Sequence, residues 1–117
     1  MGMRRPIASG SKTLALVAFN ESAINPNAAI NRDINTRQFL RLLVQWDARG
    51  DVSIAVYPYY LHQGANIYSL EIKQTNTSSH RRTGWAVYDL YGVYSVKLRF
   101  ADTSGTSNRI YAECFLQ

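Results

Sequence analysis

Residues 94–100 alternate apolar and polar side chains without a break. Successive side chains of a β-strand point to opposite faces, so Tyr94, Val96, Leu98 and Phe100 share one side and Ser95, Lys97 and Arg99 the other. A strand with one dry face needs a second layer to cover it. A second alternating run, 109–116, follows the polar segment 102–108. The two runs read as a β-hairpin with a long polar tip, on whose dry face the rest of the chain packs.

The same period recurs along the chain. Leu14, Leu16 and Ala18 mark a strand over 13–19. Val52, Ile54 and Val56 face away from Ser53, Ala55 and Tyr57 over 52–57, with Pro58 expected to end or edge that strand. Tyr68, Leu70 and Ile72 alternate with Ser69, Glu71 and Lys73 over 67–74, and 85–90 forms a further strand. Residues 36–47 fit two periods. As a strand they group Leu40, Leu42, Val44 and Trp46, and as a helix Phe39, Leu42, Leu43 and Trp46. The strand is preferred because 47–51 reads as a turn leading into the next strand. The Asn-rich stretch 20–35, with Pro26, reads as a loop, 63–66 and 91–92 as turns, and 75–84 as a polar loop. These segments give about seven strands and no helix longer than one turn. The expected fold is therefore all-β: a single antiparallel β-sandwich, jelly-roll or Ig-like, over residues 12–117. An extended arm of residues 1–11, rich in Gly, Pro and Ser, precedes it and is expected to lie free or along a partner.

A chain of 117 residues makes one domain with a real core. Its formal charge is +5, and Arg4, Arg5 and Lys12 fall in the first twelve residues with no acid among them. Such an arm suits an acidic protein surface or nucleic acid. No apolar run approaches the roughly 20 residues of a membrane span. The segment after Arg5 is too polar for a signal peptide, so synthesis in the cytoplasm without export is expected.

Chemistry is hard to find. Cys114 is the single cysteine, which rules out an internal disulfide or a cysteine-based zinc site. It shares the phase of Ile110, Ala112 and Leu116 and is expected to be a small buried hydrophobe. There is no Gly-rich phosphate loop and no G-x-S-x-G elbow. His62 and His80 lack metal-ligand spacing, and the eight carboxylates are scattered. Asp89, between Tyr88 and Leu90, is expected to pair with an arginine at a strand end. Arg49-Gly50-Asp51 reads as turn residues rather than as an adhesion motif. The chain is accordingly expected not to be an enzyme, with no cofactor and no metal.

Surface aromatics carry the positive signal. Tyr57, Tyr59, Tyr60, Trp85, Tyr91 and Tyr111 cannot all be core, and Tyr, Trp and Arg are enriched at interfaces. The expected partner interface comprises Arg4, Arg5, Tyr57, Tyr59, Tyr60, Arg81, Arg82 and Tyr91. The same aromatics could stack on a glycan, which would also require Asp, Asn or Gln beside the rings. The basic segment 78–82 suits phosphate or an acidic neighbour.

The closing pattern, Tyr91 to Phe100 followed by Thr103-Ser104-Gly105-Thr106-Ser107 and a last strand, resembles the end of small β-sandwich proteins on tailed-phage virions. It is also similar to the galactose-binding-like jelly-rolls that such particles use as decoration or tail modules. The resemblance covers the last third of the chain and transfers no site residue. It implies a virion structural protein, a capsid decoration or head/tail component assembled in symmetric copies with other virion proteins. A carbohydrate-binding module and a nucleic-acid-binding β-barrel are the alternatives.

Overall fold

The computed structural model describes residues 13–62, 65–68, 81–90 and 93–117. The arm of residues 1–11, Tyr91, His80 and most of the expected strand 67–74 lie outside them. Among the described residues the chain forms seven strands and no helix: β1 (Leu14–Ile24), β2 (Ala29–Asn35), β3 (Arg41–His62), β4 (Ala65–Tyr68), β5 (Arg81–Asp89), β6 (Ser95–Asp102) and β7 (Asn108–Leu116). All pairings are antiparallel.

Everything is organised on the 22-residue β3. Its first half, 42–48, lies between β7 and β5, with β1 beyond β7. Its second half, 52–59, pairs with β6, with β2 beyond, and β4 joins from Tyr59 onward. Two leaves result, β1-β7-β3-β5 and β2-β6-β3-β4, sharing β3. Their inner faces meet in one core. Trp46 of the first leaf packs edge-on against Phe100 of the second, with ring centroids 5.5 Å apart, and Phe19 of β1 meets the same ring at 5.9 Å. Leu42, Val44, Val52, Val56, Val96, Leu98, Ile110, Ala112, Cys114 and Leu116 are fully buried around them. The alternation in 95–100 and 109–116 thus sorts side chains as expected, while Tyr94 lies just before β6 and is half-buried. Of 36–47, residues 41–47 are strand and 36–40 form a turn with Gln38 at φ 71°.

Several expectations need correction. The runs 94–100 and 109–116 do not form a hairpin. Both run antiparallel to β3 and succeed one another along the same edge of it, β7 opposite 42–48 and β6 opposite 52–59. The segment 102–108 is an arch that carries the chain from one leaf to the other. Residues 47–51 are not a turn, because β3 runs straight through them, with a register shift against β5 between Asp47 and Val52. The arch holds that crossing point. Gly50 N donates to Asn108 Oδ1 (2.8 Å), and Thr103 N and Asn108 Nδ2 donate to Asp51 O (2.9 and 3.3 Å). A Cβ on Gly50 would lie 3.0 Å from Ser104 Cβ, so the close approach favours glycine there.

Residues 20–35 are mostly strand. Register shifts at Val17/Phe19 and Phe19/Ser22 break the alternation of β1, and Glu21 takes φ 52° within the second. A turn closed by Ala28 N to Asn25 O (3.0 Å) then leads into β2. Pro58 neither ends nor edges β3: it is buried and pairs with Val96. Tyr59 O accepts from Tyr94 N (2.8 Å), so the backbone groups of Tyr59 face β6 and those of Pro58 face the opposite edge. There β4 pairs only from Tyr59 onward, so the missing N–H of Pro58 interrupts no described ladder. Residues 81–84, expected in a loop, open β5, and Ala65 and Asn66, expected in a turn, open β4. Ala55, expected outward, keeps that phase opposite Arg99 but is buried.

Candidate functional site

With the inner faces closed on the core, the sandwich meets its surroundings through two outer faces of different chemistry. The first is the outside of the leaf β1-β7-β3-β5. Register places Ala15, Phe115, Leu43 and Val87 side by side in one row across all four strands. The next row is Val17, Glu113, Gln45 and Trp85, with Val17 41% and Trp85 51% exposed at its two ends. Tyr111, half-buried in the third row, donates from its hydroxyl to Glu113 Oε2 (3.1 Å). Burial, together with this bond and the charge of Glu113, raises the phenol above its ordinary range. Arg41 and Asp89 border the apolar row at 3.9 Å as an exposed ion pair, which is the arginine partner expected for Asp89.

The second face is the outside of the leaf β2-β6-β3-β4. Its rows read Asn35, Ser95 and Tyr59; then Asp33, Lys97 and Tyr57; then Asn31, Arg99 and Ala55. Tyr57 and Tyr59 are half-buried, and Lys97 Nζ lies 6.0 Å from the centroid of the Tyr59 ring. Asn31, Asp33 and Asn35 are exposed. Reading 20–35 as a loop hid this face: it left the two asparagines and the aspartate without a position, although β2 lines them up beside β6. The signal was present as outward Asn31, Asp33 and Asn35 alternating with Ile30, Arg32 and Ile34.

Of the residues expected at the interface, Tyr57 and Tyr59 stand together on the second face. Tyr60 pairs with Ile67 and Arg81 with Val52. Arg82 is exposed on β5, in the other leaf, and is not brought to the tyrosines. Arg4, Arg5 and Tyr91 lie outside the described residues.

Groups with reactive potential are committed to the fold. Cys114 faces the core, and burial, partly opposed by Arg32, pushes its thiol up to about 12. Arg32, on the inner phase of β2, donates Nη1 to Val17 O (2.8 Å) and Ala18 O (3.0 Å), tying the β2 edge of one leaf to the β1 edge of the other. Asp102 is buried where the arch begins. Its carboxylate accepts from Asn27 N (2.9 Å), Ser104 N (3.1 Å), Gly105 N (3.0 Å), Asn108 Nδ2 (2.9 Å) and the Ser104 hydroxyl. Burial alone would raise its pKa, but these donors outweigh it and hold the group well below the usual carboxylate range. Among the described residues no three His, Cys, Asp or Glu side chains cluster as metal ligands.

No protein-family model and no curated protein matches the sequence. Solved structures do share its shape. It is similar to the mitogen of Yersinia pseudotuberculosis, with 7% identity over 90% of this chain and 85% of that one at a TM-score of 0.53. It is similar to the SPBc2 prophage-derived protein YomS, with 9% identity over 90% of this chain and 92% of that one at 0.55. A part of tripeptidyl peptidase 2 also superimposes, with 8% identity over 92% of this chain but only 10% of the peptidase at 0.56. At such identities the likeness is one of fold, and it is the β-sandwich that these proteins have in common with this chain.

Proposed function

We propose that this chain is a non-enzymatic structural protein of a phage virion, a capsid decoration or head/tail component, that assembles with copies of itself through the outer face of the β1-β7-β3-β5 leaf. The observation that carries the reading is the row Ala15, Phe115, Leu43 and Val87. A strand face turned to water is ordinarily polar, and here one row is apolar across four strands, with Trp85 exposed beside it. Apolar and aromatic residues with few charges are what the buried centre of a protein interface requires. The fold shared with a prophage-derived protein over nearly the whole of both chains supports the phage assignment. Commitment of Cys114 and Asp102 to the core and the arch supports a non-enzymatic role. Other virion proteins are the natural further partners. Native mass spectrometry of the purified full chain tests the reading: a discrete multi-copy species is expected, and a protein that stays monomeric at every concentration contradicts it.

A further inference from the structure

We propose that the outer face of the β2-β6-β3-β4 leaf is a glycan-binding site, with Tyr57 and Tyr59 as the stacking platform. The two residues lie on the same side of β3 at i and i+2, about 7 Å apart along the strand. A sugar ring presents weakly positive C–H groups on its faces and hydroxyls around its rim. The face of a phenol ring is negative and attracts the former. The hydroxyls need donors and acceptors beside the ring, and the register supplies them. Asp33 and Lys97 continue the row of Tyr57, and Asn35 and Ser95 that of Tyr59. Lys97, 6.0 Å from the Tyr59 centroid, favours one ring orientation.

The same face argues against a protein as occupant. Asp33, Lys97 and Arg99 sit in its middle rows, and interface centres are depleted in charge. The chain's apolar row lies on the opposite leaf, so this site and the assembly face are separate surfaces, and either holds if the other fails.

Affinity electrophoresis of the full chain through gels containing galactomannan, xylan or polygalacturonate tests the site. Retardation by at least one polysaccharide is expected. Tyr57→Ala and Tyr59→Ala should each weaken it about tenfold or more. Tyr59→Phe, which keeps the ring, should retain binding, and Trp85→Ala, on the other leaf, should match the wild type. Circular dichroism checks that each variant is folded, and Tyr59→Phe set against Asp33→Ala, an exposed position, decides the matter should either alanine variant fail to fold. Migration unaltered in all three gels overturns the proposal. So does retardation that survives both tyrosine changes, and so does retention by polygalacturonate alone that vanishes at high salt, since that would be simple charge attraction.

Discussion

The indole of Trp46 lies against Gly84 so closely that a methyl group on Gly84 would sit 2.7 Å from Cζ2. The two are register partners on β3 and β5, and Trp46 also packs against Phe100 of the other leaf. A ring held on both sides cannot retreat. Gly84→Ala is therefore expected to lower stability by about 1–3 kcal/mol as overpacking, despite the usual gain from replacing a strand glycine. Urea unfolding of both proteins measures it, and an unchanged or raised midpoint would show that the indole can move aside.

Register on β6 is tested by neighbouring positions. Val96 is fully buried and Lys97 only partly so. Val96→Asp is expected to leave the protein unfolded or insoluble, because a charge would face the core without a partner. Lys97→Asp should change stability by less than about 1 kcal/mol. Thermal unfolding followed by circular dichroism distinguishes the two, and equal effects would place the strand in the other register.

Asp102 ties three segments together: the 25–28 turn through Asn27, its own arch, and through Asn108 the crossing point of β3. Its folded pKa is depressed, so the unfolded chain binds the proton more tightly. The stabilisation is present above the unfolded value of about 3.9 and is lost as pH falls below it toward the folded value. Asp102→Asn should be destabilised at neutral pH and should lose less stability on acidification than the wild type. Urea midpoints at neutral and acidic pH check this, and parallel pH profiles for the two proteins would remove the carboxylate from the account.

What was legible in the sequence is what unbroken alternation reports. The buried phase of Val96, Leu98 and Phe100, that of Ile110 to Leu116, and the burial of Cys114 follow from period two alone. The pairing of Asp89 with an arginine was legible as well. Strand partners were not. Alternation says which side of a strand is dry but not which strand lies beside it, so β6 and β7 looked like a hairpin when they follow each other along β3. The bulges at Val17/Phe19 and Phe19/Ser22 erased the period of β1 just where composition suggested a loop. With β1 cut short, β2 and its outward asparagines disappeared, and Tyr57 and Tyr59 seemed to lack polar neighbours. The apolar row on the other leaf was equally hidden, because Ala15, Leu43, Val87 and Phe115 come together only through the register of four strands.

Sedimentation velocity of the full chain beside Trp85→Asp and Val87→Asp is the most direct test of assembly through the β1-β7-β3-β5 face. Both substitutions fall on the outer side of β5, where a charge leaves the core untouched but cannot be buried against a partner. The wild type is expected to sediment as an oligomer and both variants as folded monomers with unchanged far-ultraviolet circular dichroism. A monomeric wild type, or variants that assemble as the wild type does, would contradict it.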